Sequence, residues 1–209
     1  MQATPMPASI KIKLKSVLKV ASEVAHIEDF WKSIEKTQKP TQLQRYEQKG
    51  APECIKHFIA LGGGPKMGTT LEQYARYTFK CLQKRKSGKE ETGYDHLINI
   101  DGKELYVEQK SSGHWGEDDY KWQHVEEKHK WSMLLLCGID YTDVLFWAMN
   151  RVTFSALIEE GRITNQGNAA KDSSEGMWFN YSDVRDHLIP IRSHEELLEF
   201  AASLPVADE

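Results

Sequence analysis

The pair Asp101-Gly102, which separates two runs of strand-forming residues at 97–100 and 103–110, constrains the fold most. Asp-Gly between such runs is one of the strongest short-range signals for a β-hairpin with a two-residue turn. If these residues are the centre of the turn, Ile100 faces Lys103 and the pairing continues outward from there. Asp95 then lies directly opposite Glu108.

The facing carboxylates predict a metal site. Facing residues share one face of the sheet, with Cβ atoms about 4.5–5.5 Å apart, and alternation adds Lys110 to the face of Glu108 while Gln109 points to the other side. Two facing carboxylates repel, and magnesium compensates such a pair well because it favours one or two carboxylates with waters and a phosphate oxygen. Lys110 would contact the phosphate or orient the attacking water. An exposed hairpin face with scattered charges is the alternative.

Asp95, followed on the next strand by Glu108-Gln109-Lys110, resembles the PD-(D/E)XK nuclease superfamily, which includes the type II restriction endonucleases. Tyr94 departs from the proline or other small or apolar residue usual before the aspartate. The resemblance implies an α/β, restriction-endonuclease-like core, in which helices flank a central mixed β-sheet. It also implies hydrolysis of DNA with Mg²⁺, or Mn²⁺ as a substitute, held by Asp95, Glu108 and the backbone carbonyl of Gln109, with Lys110 catalytic.

Glu72 is a further candidate catalytic residue, on the helix expected before the hairpin. The family often has a glutamate there, so the resemblance implies that Glu72 supports the metal site or its waters. The alternative is an i, i+4 surface pair with Arg76.

Hydrophobic periodicity predicts one domain over 1–209, with an N-terminal, mainly helical region (1–65), a core (66–150) and a C-terminal region (151–209). The resemblance implies that this is a single nuclease domain and that 66–150 is its catalytic core. A strand is expected at 10–15, a helix over 17–34 and short helices within 41–60. The next helix has an apolar stripe between 71 and 82, and Thr69 or Thr70 is the expected cap.

After the hairpin, the pattern predicts a polar loop at 111–118, a helix at 119–130 and buried strands at 131–138 and 143–149. Helices are expected at 154–160 and 193–203. In the second of these, Ser193 is the expected cap and Glu196 its capping-box partner.

Several polar residues are weaker candidates for DNA contact. Five follow the E-x-K strand in the expected loop and helix: Ser111, Ser112, His114, Gln123 and His124. Three lie in a candidate DNA-recognition loop at 161–176, which is rich in side chains that read base edges: Arg162, Asn165 and Gln166. An ordinary polar surface is the alternative for each.

Composition limits the class of protein. The 209 residues are 28% charged and 40% hydrophobic, with a formal net charge of -4, so any DNA-binding surface depends on local basic clusters such as 80–89. The three cysteines favour a reducing compartment, and no run has the roughly 18 apolar residues of a membrane span. A cytoplasmic protein that does not bind membranes is expected.

The function predicted from these features is cleavage of double-stranded DNA at a short specific site by a homodimer. A repair or recombination nuclease on the same core is the alternative among enzymes. A DNA-binding or partner-binding module with no catalytic activity is the alternative outside enzymes.

Overall fold

The computed structural model describes residues 24–35, 38–88, 93–116, 118–165 and 176–204. The chain divides into two compact units, with the boundary between Thr41 and Gln42. In the first unit, residues 24–34 form helix α1, which agrees with the C-terminal part of the predicted helix. The strand predicted at 10–15 lies outside the described residues.

The second unit begins with three helices: α2 (Gln42–Gln48), α3 (Glu53–Ala60) and α4 (Pro65–Thr78). The short helices predicted within 41–60 are confirmed. The predicted cap of α4 at Thr69 or Thr70 is wrong, because the helix begins at Pro65. Proline is well suited to a first helical position, where its fixed φ is already helical and no N–H is required. Inside the helix, the Thr70 hydroxyl donates instead to the carbonyl of Lys66.

A mixed sheet forms the centre of this unit. Among the described residues it has nine strands, namely β1 (Gln83–Lys84), β2 (His96–Ile100), β3 (Lys103–Trp115), β4 (Asp119–Val125), β5 (Met133–Ile139), β6 (Val144–Asn150), β7 (Thr164–Asn165), β8 (Met177–Asn180) and β9 (Ile189–Pro190). The order is β7-β8-β4-β3-β5-β6-β9, and β2 pairs with both β1 and β3. The β3–β5 ladder is parallel and the other ladders are antiparallel.

In the described part of the chain after β6, three α-helices are present: α5 (Arg151–Glu159), α6 (Tyr181–Val184) and α7 (His194–Ala202). The cap predicted for the last helix is confirmed, because the Ser193 hydroxyl accepts a hydrogen bond from the Glu196 amide. The Glu196 carboxylate accepts from the amide of Arg192.

Both faces of the sheet are buried, and β5 shows the division most clearly. Met133, Leu135 and Cys137 pack in a core that includes residues of α3, α4 and α7. Leu134 and Leu136 belong to a second core with residues of α5 and β8. An α/β unit with a mixed sheet flanked by helices is therefore confirmed. No helix among the described residues is long and apolar enough to cross a membrane.

The segment between the hairpin and β5 differs from the prediction. The expected loop at 111–118 is largely strand, since β3 continues to Trp115. The expected helix at 119–130 is wrong, because residues 119–125 form β4. Tyr120 and Trp122 are buried at strand spacing, and the Trp122 indole donates to the carbonyl of Cys137. The element after the E-x-K strand is thus a strand, where the hydrophobic pattern predicted a helix.

Candidate active site

The hairpin register agrees with the sequence prediction from the turn to His96, but the predicted pair of Asp95 with Glu108 is not part of the ladder. Ile100 pairs with Lys103, and the ladder continues to His96 opposite Val107. Asp101 and Gly102 form the turn with positive φ angles of 52° and 81°. One residue beyond the ladder, Asp95 remains attached to β3, because its amide donates to the carbonyl of Val107 at 2.8 Å.

The predicted catalytic residues on the hairpin come together. The Asp95 carboxylate accepts a 2.8 Å hydrogen bond from the backbone amide of Gln109, which fixes it against β3. Glu108 is only 5% exposed, and Lys110 donates to its Oε1 at 2.6 Å. The charge of Asp95 is close enough to raise the pKa of Glu108. β3 and the residue that precedes β2 therefore supply two carboxylates and one ammonium group to one place.

The charges at this place are incompletely balanced. Burial raises the pKa of Glu108 above its usual range, and Asp95 raises it further, while Lys110 opposes both. Burial and Asp95 also raise the pKa of Glu72 on α4, and Arg76 lowers it. A raised carboxyl pKa means that the ionised form is held unfavourably, so a bound cation would stabilise it. Additional positive charge at the site would therefore stabilise the ionised forms of Glu108 and Glu72.

A pocket of about 480 Å³ opens beside these residues. Along one edge of β3, β2 pairs as far as Val107 and β4 joins only at His114. Between them, residues 108–113 form no ladder pair on that edge with any described strand. Glu72, Asp95 and Lys110 line the pocket on one side. The gap gives a substrate access to Glu72, Asp95 and Lys110, whereas the buried Glu108 does not itself line the pocket.

Glu72 fits both alternatives that the sequence left open. Its carboxylate lies 3.8 Å from the Arg76 guanidinium. It also lines the same pocket as Asp95 and Lys110.

Sequence reasoning missed His96, which holds Gln109 in place. The Gln109 amide oxygen accepts from Nε2 of His96 at 2.8 Å, and Nδ1 of His96 lies 3.0 Å from the Arg76 guanidinium. Burial lowers the pKa of His96 to about 4, so the ring is neutral near neutral pH. Neutral imidazole donates at one nitrogen and accepts at the other, as both contacts require. The only sequence signal was the predicted register, which places His96 opposite Val107 and therefore on the face of Gln109.

The weaker candidates divide into two groups. Ser111, Gln123 and His124 line the pocket, although the last two lie on a strand and not on the predicted helix. Ser112 and His114 are buried elsewhere on β3. The Ser112 hydroxyl donates to the carbonyl of Gly113, and Nε2 of His114 lies 2.7 Å from Asp140.

The candidate recognition loop is only partly described. Arg162 donates to the carbonyl of Asp183 at 2.6 Å and contacts His187, and it does not line the carboxylate pocket. Asn165 lies on β7, and its carbonyl accepts from the Trp178 indole. Gln166 and residues 167–175 lie outside the described residues.

The donor set fits magnesium better than zinc. Within the described ranges, no group of three or more histidine, cysteine, aspartate or glutamate side chains is arranged to hold a metal ion. A magnesium site needs fewer, since one or two carboxylates with waters and phosphate oxygens are enough. Asp95 and Glu108 meet that requirement with oxygen donors alone. Comparison with protein-family models, curated proteins and solved structures finds no significant match to this chain.

Proposed function

We propose that this chain is a metal-dependent DNA endonuclease that hydrolyses phosphodiester bonds in the pocket beside β3. The observation that carries the proposal is the convergence of Asp95, Glu108 and Lys110 at an unpaired strand edge. Two carboxylates that repel each other can hold a cation. That cation and the nearby lysine can together bind a phosphate diester, which is negatively charged.

Asp95, Glu108 and the backbone carbonyl of Gln109 would hold Mg²⁺, with Mn²⁺ as a substitute. When bound, the ion would polarise the phosphoryl oxygens and lower the pKa of a bound water. The backbone N–H of Gln109 donates to the Asp95 carboxylate and so keeps it at the edge of β3. Lys110, held by Glu108 before substrate arrives, would turn its ammonium to the phosphate and stabilise the charge that develops there. Glu72 would orient a water at the pocket wall.

Cleavage of double-stranded DNA at a specific site by a homodimer is the finer form of this proposal, and the resemblance to restriction endonucleases supports it. A repair or recombination nuclease is the second candidate. β4 takes the place of the helix predicted after the E-x-K strand and brings Lys121 to the pocket, so this segment does not favour the restriction-type form over the repair form.

The test is cleavage of supercoiled plasmid in magnesium by the wild type, Asp95→Asn and Glu108→Gln. Both variants should lose cleavage because each removes a carboxylate ligand. Glu104→Gln is the matched control, since Glu104 is an exposed carboxylate on the same hairpin, paired with Lys86 at 2.7 Å. Calcium should support binding and little cutting. Parental cleavage by both site variants, or full activity in chelator, would contradict the proposal. Binding of DNA by the wild type without any cleavage would favour a binding module without catalysis.

A further inference from the structure

Two tryptophans and a lysine, named here the Trp–Lys platform, lie where β3, β4 and β8 meet. The members are Trp115, Lys121 and Trp178. Trp115 is 60% exposed at the end of β3. The Lys121 ammonium lies 5.2 Å from the Trp115 ring centroid and 4.0 Å from that of Trp178. Lys121 also lines the carboxylate pocket, so the platform adjoins the proposed active site.

The sheet register explains why the three residues share a surface. Lys121 pairs with Asn180 and Trp122 with Phe179. Because side chains alternate along a strand, Trp178 lies on the same face of β8 as Asn180 and therefore on the same face as Lys121. The Trp178 indole donates to the carbonyl of Asn165 at 2.9 Å, which fixes that ring. The platform is held by three strands and does not depend on a loop.

The distance from the pocket is short on the scale of a DNA strand. Trp115 follows the pocket residue Ser111 by four positions on β3 and so shares its face, which places the two about 13 Å apart at roughly 3.3 Å per residue. That separation is about four nucleotide steps at the duplex spacing of about 3.4 Å, and fewer for an extended strand. One strand can therefore reach the pocket and the platform together.

We propose that the Trp–Lys platform stacks an unpaired base of the strand whose phosphodiester enters the pocket; this inference rests on the proposed function. Exposed aromatic rings with a cation between them are the features by which proteins bind single strands, because every base has a π-face and the cation attracts the backbone. Bases inside a duplex already stack on each other and present no face to a tryptophan. The substrate class is therefore DNA with a single-stranded segment next to the cut, such as a flap, gap or overhang, and this favours the repair or recombination candidate over cleavage of a fully paired site.

The test measures binding in calcium, by fluorescence anisotropy, of a labelled DNA strand of about 16 nucleotides, alone and annealed to its complement. Trp115→Ala should weaken binding of the single strand by roughly 5- to 150-fold, which corresponds to the usual contribution of one stacked base. Its duplex binding should change much less. Trp115→Phe should keep most of the affinity, because a ring remains. Tyr77→Ala is the matched control: Tyr77 is an exposed aromatic on α4 with Lys80 4.4 Å from its ring centroid, and it does not line the pocket.

Cleavage in magnesium separates this inference from the proposed function. We expect the wild type to cut a duplex with a single-stranded flap faster than the fully paired duplex, and Trp115→Ala to lose that preference. If cutting depends on Asp95 but Trp115→Ala treats both substrates as the wild type does, the platform inference is wrong and the nuclease proposal stands. An equal loss of affinity for single strand and duplex also overturns the inference. If the wild type neither binds nor cuts DNA, both proposals fail.

Discussion

Lys110 donates a 2.6 Å hydrogen bond to Glu108 from two positions further along the same strand, and Glu108 is almost completely buried. The neighbouring negative groups are Asp95 and Glu72, both of which raise the pKa of Glu108. Lys110 is therefore a counterion in the free protein and a candidate phosphate ligand in the complex. Its two roles can be measured separately.

Lys110→Met should lower the free energy of unfolding by about 1–3 kcal/mol in the absence of metal, because it leaves a buried carboxylate without its partner. Protonation of Glu108 limits the loss, since its pKa is already raised. The double variant Lys110→Met/Glu108→Gln should lose less than the sum of the single variants, and urea unfolding of all four proteins measures the coupling. Cleavage should stop in Lys110→Met with DNA affinity largely kept. Wild-type cleavage by this variant would remove Lys110 from the mechanism.

Glu72→Gln should raise the magnesium concentration needed for half-maximal cleavage by about 10-fold or more, since residues that support metal ligands have effects of that size. Its free energy of unfolding should change by less than about 1 kcal/mol, because the ion pair with Arg76 is 3.8 Å long and only partly buried. Glu53→Gln, which removes an i, i+3 ion pair with Lys56 on α3, is the control. An unchanged magnesium requirement would leave only the ion-pair interpretation of Glu72.

The hairpin and the site it carries were predictable because their determinants are local. Asp101-Gly102 fixes the turn, and the turn fixes which residues face each other. The segment after the hairpin was not predictable, because the residues that it contacts are distant in sequence. The buried His114 ring contacts Asp140, and the backbone amide of His114 donates to the Tyr46 hydroxyl. A Cβ atom at Gly113 would come within 2.6 Å of the Gln42 side chain. A serine-glycine-histidine run therefore looks like a surface loop although it lies in a central strand.

The contact between His96 and Gln109 has the same explanation. No local pattern marks it, since Gln109 is thirteen residues from His96 and Arg76 is twenty residues away on α4. Only the completed hairpin and the packing of α4 bring the three side chains together. Sequence alone predicted the candidate catalytic face of β3, whereas the residues that support it from the opposite face are brought together only by the tertiary structure.

His96 should make stability depend on pH. Its pKa in the folded protein is lowered to about 4, whereas the unfolded chain protonates near the ordinary value of 6.5. Below that ordinary value the unfolded state binds the proton first, so stability falls as pH falls towards the folded pKa. The loss from about pH 7 to about pH 5 should be about 2 kcal/mol. Urea unfolding at both pH values should show a smaller dependence in His96→Gln and an unchanged one in His57→Asn, which alters an exposed histidine on α3. An equal dependence in all three proteins would contradict the role given to His96.

Leu135→Ala should lose stability and keep cleavage activity, whereas Asp95→Asn should lose cleavage activity and keep stability. Leu135 is fully buried on β5 and pairs with Gln109, so its truncation leaves a cavity behind the site and should lower the free energy of unfolding by about 2–5 kcal/mol. At a temperature where the variant is still folded, its cleavage rate per folded molecule should be close to that of the wild type. Asp95→Asn keeps an oxygen that can accept from the Gln109 amide and removes a negative charge from a repelling group, so it should melt at or slightly above the wild-type temperature without metal while losing cleavage. Thermal melts without metal and plasmid cleavage with it, performed on both variants, measure the two effects. A stable, inactive Leu135→Ala or an unstable, active Asp95→Asn would contradict the assignment of Leu135 to the core and of Asp95 to the active site.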